Sequence, residues 1–190
     1  MSRTIWTYGI IAGAIMSAMM LVTFPLIDRI GFETAEVIGY TTIIAAFLLI
    51  FFGVRSYRDQ TAAGALSFRR ALMVGLLINL VASACYVATW QVIYYRLAPD
   101  FGDKYAAWTI EKERAAGASD QQIAASTARI QEFQELYRNP IVNIAVTFLE
   151  PFSIGLIVAL VAAAILRTSR TPLAPGGGRT RGDGGARYTS

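Results

Sequence analysis

The sequence predicts an all-α integral membrane protein with four transmembrane helices and an extracytoplasmic amphipathic helical hairpin between helices 3 and 4. Apolar residues make up 55% of the 190 residues, and the mean hydropathy is +0.46. The apolar residues are concentrated in four blocks, at residues 5–27, 37–54, 71–95 and 141–166. Each block approaches or exceeds the roughly 20 residues with which a helix crosses about 30 Å of hydrocarbon. Residues 1–170 are therefore predicted to form a single membrane domain.

The blocks indicate helices because backbone groups in lipid must be hydrogen-bonded within their own segment, and no block alternates as a barrel strand does. The first block could instead be a secretory signal, since Arg3 precedes it and Ala12-Gly13-Ala14 fits a cleavage site. Its apolar run continues well past that site, whereas a removable signal has roughly 7–15 apolar residues. We expect a retained anchor, with the mature protein beginning near Met1.

Arginines predict the orientation of the helices. Arg3 precedes block 1, and Arg167 and Arg170 follow block 4. The short loop between blocks 2 and 3 contains four more: Arg55, Arg58, Arg69 and Arg70. Under the positive-inside rule these ends are cytoplasmic. Both termini then lie inside, whereas residues 28–36, predicted as a turn, and the hairpin at residues 99–139 lie outside.

Residues 171–190 are predicted to form a disordered, basic, Gly/Arg-rich cytoplasmic tail, because such a composition cannot build a core. We expect the tail to lie against anionic lipid, with a specific lipid or RNA contact as the alternative. The net charge of +4 arises from the tail and the cytoplasmic loop, since residues 96–139 include six basic and seven acidic residues. This distribution argues against nucleic acid as a partner.

The hairpin has the pattern of two amphipathic helices, at residues 101–116 and 120–137. Gly117 is predicted to end the first helix, and Ser119 with Gln122 has the spacing of a capping box at the start of the second. Each helix carries an apolar stripe, formed by Phe101, Tyr105 and Trp108 and by Ile123, Ile130, Phe133 and Tyr137. We expect the stripes to pack on each other and on the membrane surface; the alternative is a docking surface for a membrane or periplasmic protein partner.

The residue types that the chain lacks exclude several chemistries. Histidine is absent and Cys85 is the only cysteine. Haem, structural zinc and nucleophile pairs with histidine are therefore largely excluded, and an intramolecular disulfide is impossible. No motif implies a cofactor or a metal.

Small residues four apart predict where helices pack. Gly9 and Gly13 form such a stripe in block 1, and Gly155 and Ala159 form one in block 4. Small residues let helix backbones approach closely in lipid. We expect packing within the bundle, with a homo-oligomer as the alternative.

Glu150 is the one charged side chain within the apolar blocks, and Pro151 follows it directly. Inserting an ionisable side chain into hydrocarbon costs roughly 2.5–3.5 kcal/mol on insertion scales. Such a residue in a membrane helix therefore suggests a functional site by default. Pro151 lacks an N–H, so the carbonyl of Thr147 loses its helical partner; a protonated Glu150, the Thr147 hydroxyl or water could replace it. Glu150 lies about 14 Å inside the hydrocarbon boundary if the span begins at Ile141. It lies about 5 Å inside if only the last roughly 20 residues before Arg167 are embedded.

Block 3 supplies candidate partners for Glu150. Asn79 and Ser83 lie on one polar ladder, and Tyr86 begins an aromatic ladder with Trp90 and Tyr94. Asn and Ser in membrane helices usually form interhelical hydrogen bonds, and an aromatic ladder is more often packing than a ligand site. The two interpretations are a hydrogen-bonded helix clamp at Glu150 and a site that handles protons or cations.

Several motifs follow one another along the chain, including Tyr57-Arg58-Asp59, Asn139-Pro140 and Thr147-Phe148-x-Glu150-Pro151-Phe152. This pattern resembles a family of small bacterial inner-membrane proteins known only as a domain of unknown function. The resemblance implies a four-helix membrane protein with a hairpin between helices 3 and 4, and it implies no activity.

Two functions are consistent with these observations. The first is a non-catalytic scaffold or accessory protein that binds a partner or lipid through the extracytoplasmic hairpin. The second is a small proton- or cation-coupled transporter that uses Glu150 in helix 4. An enzyme is disfavoured, because acid-base catalysis commonly uses a second titratable group and the apolar blocks supply none beside Glu150.

Overall fold

The computed structural model describes residues 1–61 and 66–167, and this part of the chain is helical, without strands. The elements are α1 (Ser2–Thr23), a 3-10 turn (Phe24–Leu26), α2 (Ile27–Ile30), α3 (Phe32–Asp59), α4 (Phe68–Val92), a π-helical turn (Ile93–Leu97), α5 (Phe101–Ala115), α6 (Asp120–Tyr137) and α7 (Pro140–Leu166). Four stretches are long and apolar enough to cross a membrane: Ser2–Ile30, Phe32–Asp59, Phe68–Leu97 and Pro140–Leu166. The all-helical, four-span expectation is confirmed, and the predicted tail at 171–190 lies outside the described residues.

The first two spans are joined more tightly than predicted. The expected turn at residues 28–36 is wrong, because all of these residues except Gly31 are helical. Gly31 has a φ of +80°, which a residue without a Cβ adopts at little cost, and it alone reverses the chain. Glu33 in the first turn of α3 favours an early helix start, since a carboxylate stabilises a helix N-terminus.

The spans pack around α4, which contacts α1, α3 and α7. The core between them is formed by side chains without exposed surface, including Phe47 and Ile50 of α3 and Val74 and Ile78 of α4. These residues lie in the half of the bundle that is remote from the hairpin. That half of the bundle is filled by side chains, so the cavities described below lie at the hairpin end.

The small-residue stripes are used within the bundle. A Cβ on Gly9 would lie 2.7 Å from Cβ of Val81, and one on Gly13 would lie 2.6 Å from Cβ of Cys85, so α1 packs closely on α4. On the opposite side of α4, Gly155 faces the Asn79 side chain, and Ala159 faces Gly75. Self-association through these stripes would therefore require the bundle to open.

The hairpin has the predicted helices. α5 ends at Ala115 and is followed by Gly117 at φ +87°, and Ser119 and Gln122 form the capping box at the start of α6. The hydroxyl of Ser119 accepts from the backbone N–H of Gln122, whose side chain accepts from the backbone N–H of Ser119. The chain therefore reverses where the sequence predicts.

The hairpin packs onto the end of the bundle where α1–α3 reverse. Phe32 of α3 contacts the rings of the α5 stripe, Phe101, Tyr105 and Trp108, at centroid distances of 5.4–5.9 Å. Lys104 of α5 pairs with Asp28 at 3.2 Å across the same junction. The apolar stripe of α5 thus contacts the protein's own membrane helices through Phe32 and remains partly exposed at Tyr105.

Candidate functional site

Glu150 and Tyr86 meet between α7 and α4. The Tyr86 hydroxyl donates to Oε2 of Glu150 at 3.2 Å. Tyr86 is partly buried, whereas the Glu150 side chain is exposed. The carboxylate therefore faces open space beneath the hairpin and not the packed interior of the bundle.

Asn79 and Ser83 form a separate, dry cluster. Nδ2 of Asn79 donates to the backbone carbonyl of Phe152 at 2.9 Å, and the Ser83 hydroxyl donates to Oδ1 of Asn79 at 3.2 Å. Neither side chain has exposed surface. Pro151, also fully buried, precedes the carbonyl that Asn79 holds. This cluster ties α4 to α7 next to the proline and is structural in character.

Thr147 is part of a third group, which joins the hairpin to the bundle. Its hydroxyl lies 2.8 Å from the Tyr137 hydroxyl at the end of α6, and Nε1 of Trp90 donates to the same Tyr137 oxygen at 2.9 Å. Tyr137 therefore connects α4, α6 and α7 through one atom. Of the six predicted site residues, Tyr86, Thr147 and Glu150 line one cavity beneath the hairpin, whereas Asn79, Ser83 and Pro151 line neither cavity described below.

Two adjoining cavities lie beneath the hairpin. The smaller, of about 280 Å³, is lined by α1 to α5 and α7 and by the 3-10 turn. The larger, of about 770 Å³, lies between the hairpin and α3, α4 and α7. Six side chains line both cavities and so mark the place where the two meet: Tyr40, Tyr86, Trp90, Phe101, Tyr105 and Glu150. Five of these six are aromatic, and the sixth is the membrane carboxylate.

The charges of this site are predominantly negative. Glu36 and Glu150 are the charged residues among the described residues that line the smaller cavity. The larger cavity adds Glu113 and Arg129. The Arg129 guanidinium donates to Ser126 and to the Ala125 carbonyl of its own helix. The two cavities together are therefore lined by three carboxylates and by one guanidinium, which is hydrogen-bonded within its own helix.

Tyrosine hydroxyls surround the carboxylates. The Tyr105 hydroxyl donates to Oε1 of Glu36 at 3.3 Å, as Tyr86 does to Glu150. Burial, followed by the nearby Glu36 charge, raises the pKa of Tyr105 above its ordinary value. Burial also raises the pKa of Tyr137, against the opposite effect of its hydrogen bonds with Thr147 and Trp90. Both phenols therefore stay protonated at neutral pH. Tyr105 donates its hydrogen bond to Glu36, whereas Tyr137 accepts one from Trp90.

The comparisons with known proteins identify the family. A model of one family, described as a protein of unknown function (DUF4199), matches residues 7–168. The chain belongs to the DUF4199 family. The expectation of a family known as a domain of unknown function is thereby confirmed. No curated protein and no solved structure matches the chain.

In this DUF4199 chain, sequence reasoning missed most of the cavity lining. Glu36 and Tyr40 fell in or beside the predicted turn and did not suggest a site. Of the aromatic ladder, Tyr86 was a predicted partner of Glu150, whereas Trp90 and Tyr94 were expected to be packing. The α5 stripe was expected to pack on the α6 stripe and on the membrane surface. In the structure it packs on Phe32 of α3, and Phe101 and Tyr105 also line both cavities. The available signal was the density of aromatic residues at one end of the bundle.

Proposed function

We propose that the protein is a non-catalytic membrane protein that binds a lipid or another small molecule beneath its hairpin. The observation that carries this proposal is the larger cavity, whose lining comes from α5 and α6 on one side and from α3, α4 and α7 on the other. Binding sites are typically concave, largely apolar and equipped with a few polar groups, and they occur between the helices of bundles. The hairpin then acts as the cover of the site.

The hairpin's attachments support this role. Nε2 of Gln134 donates to the Gly102 carbonyl at 2.7 Å and holds α6 to α5 beside the cavity. Tyr137 holds the far end of α6 to the bundle through Trp90 and Thr147. Between these fixed points the cavity remains open, so the hairpin is anchored without filling the space beneath it.

The proposal includes the orientation that the arginines favour. Arg55 and Arg58 end α3 and Arg69 and Arg70 begin α4, at the end of the bundle remote from the hairpin. By the positive-inside rule the hairpin faces the extracytoplasmic side of a bacterial inner membrane, and both termini face the cytoplasm. A ligand would then enter from outside the cell or from the outer leaflet.

Photo-crosslinking in native membranes tests the proposal. Benzoylphenylalanine replaces Phe133, which lines the larger cavity, and in a matched variant it replaces Leu136, which is exposed on the same helix and lines neither cavity. We expect a low-mass adduct, a lipid or a small molecule, at position 133 and not at 136. A protein adduct at 136 with nothing at 133 would instead indicate that the hairpin is a docking surface for a protein partner. Adducts at neither position would contradict the proposal.

The second candidate is a proton- or cation-coupled transporter. It is favoured by one observation, that Glu150 lines both cavities and so lies where they meet. Beyond Glu150, however, Asn79, Ser83 and Ile78 are completely buried and fill the interior. A transported ion would need this packing to open. Flux across liposomes that is abolished by Glu150→Gln would establish the transporter, and tight liposomes under proton, sodium and potassium gradients would exclude it for those ions.

A further inference from the structure

We infer that the cavity pair binds an organic cation, with an ammonium group held by aromatic faces and by the carboxylates of Glu150 and Glu36. This inference rests on the proposed function and names the class of ligand. The first reason is the composition of the lining. Trp90 and Phe101 meet edge to face at 5.1 Å, and Phe101 stacks on Tyr105 at 6.0 Å, so adjoining rings surround one space. Several aromatic faces around one space are how proteins recognise quaternary ammonium groups.

The second reason is uncompensated charge. Glu150 and Glu36 each accept a hydrogen bond from a tyrosine, and no basic side chain is among the described residues that line the smaller cavity. The nearest lysines of α5 are engaged at the outer surface, Lys104 with Asp28 and Lys112 with Glu33. Carboxylates beside apolar walls attract a cation more strongly than carboxylates in bulk water do. The site therefore favours a positive ligand.

The third reason distinguishes an organic cation from a metal ion. Calcium and magnesium take six or more oxygen ligands, and the described residues contain no group of three metal-binding side chains. Beyond the carboxylates, the wall of the smaller cavity is largely aromatic and aliphatic, with two threonines, Thr23 and Thr42, and with three methionines of α1, Met16, Met19 and Met20. Methionine adapts its shape to apolar ligands. The ammonium ion is thus expected to carry an apolar part that lies along α1.

Titration calorimetry on the purified full-length protein in a neutral detergent tests the inference. Choline is the probe, and 3,3-dimethylbutan-1-ol is its uncharged counterpart of the same shape. We expect saturable choline binding and an affinity for the alcohol that is at least about tenfold lower, a difference of about 1.4 kcal/mol. Equal affinities, or no heat from either choline or dodecyltrimethylammonium, would overturn the inference.

Matched variants locate the binding. Glu150→Gln keeps an acceptor for Tyr86 but removes the charge, and we expect it to weaken choline binding about tenfold while leaving the alcohol unaffected. Glu132→Gln removes one charge from the exposed side of α6, away from both cavities, and should leave choline binding unchanged. Equal behaviour of the two variants would contradict the inference. An unchanged unfolding temperature shows that Glu150→Gln is folded; should it fail to fold, Glu36→Gln takes its place with the same expectation.

The source of the ammonium group is identified in nanodiscs. Choline binding that weakens when phosphatidylethanolamine replaces phosphatidylglycerol assigns the site to a lipid headgroup, and unchanged binding assigns it to a free cation. The crosslinking experiment keeps the two proposals apart. A low-mass adduct at position 133 together with no choline binding would support a ligand-binding cavity beneath the hairpin. It would refute the inference that the ligand is an organic cation.

Discussion

Gly155 is the place where α7 packs directly on the Asn79 side chain, and Gly155→Ala should destabilise the bundle strongly. A Cβ at this position would overlap the Asn79 amide, which has no exposed surface and holds the Phe152 carbonyl. Overpacking costs about 1–3 kcal/mol. Loss of an interhelical hydrogen bond costs about 0.6–1.7 kcal/mol in a membrane protein. Together they predict that Gly155→Ala is about 2–5 kcal/mol less stable than an alanine substitution at an open helical glycine.

Gly39→Ala is the matched control, because a Cβ on Gly39 meets nothing within 4 Å. Both substitutions gain the same helix propensity, about 1 kcal/mol, so their difference isolates the packing term. Cys85, the only cysteine, packs against Gly13 in the bundle and reports unfolding through its reaction with a maleimide dye. Denaturant titrations in mixed micelles then give the two free energies of unfolding. Equal stability of the two variants would refute the close approach of α7 to α4.

Three further predictions concern the hairpin. Ser119→Ala removes the capping hydroxyl of α6 and should lower local stability by about 1 kcal/mol, read as faster amide exchange in the first turn of α6 and unchanged exchange in α5. Tyr137→Phe deprives Trp90 and Thr147 of their shared partner and should cost about 1–3 kcal/mol in unfolding free energy; an unchanged value would mean that the three groups do not meet. Because burial raises the pKa of Tyr105, the fold favours its neutral form. That contribution is present below the unfolded value of about 10 and is lost as pH rises above it, so the alkaline loss of stability should be smaller in Tyr105→Phe.

The architecture was predictable because each element has a strong local signal. Block length and hydropathy specified the four spans, and the capping box with Gly117 specified the hairpin. The reversal between the first two spans was mispredicted, since the charged residues around it suggested a loop. One glycine with positive φ suffices to turn the chain, and the residues on either side continue as helix.

The site was less predictable, because its lining comes from helices that are spread along the whole described chain. Glu36, Tyr105 and Glu150 face connected space only after α5 packs on Phe32, and that contact has no short-range signal. Asn79 shows that a predicted site residue can also lie outside the site. It lies on the helix face expected to meet Glu150, yet its amide bonds to the α7 backbone, since Gly155 leaves room for it there.

The cavity beneath the hairpin should be accessible to water and should attract cations, and the modification rate of a cysteine at position 39 measures both properties. Gly39 lines the smaller cavity and has free space around its Cα, so Gly39→Cys in a Cys85→Ser background retains both carboxylates. Leu48→Cys, exposed on the same helix outside both cavities, is the control. A trimethylammonium methanethiosulfonate should modify position 39 at least about tenfold faster than the sulfonate reagent does, and choline should protect this position. Equal rates with the two reagents, or a position 39 as unreactive as position 48, would contradict these expectations.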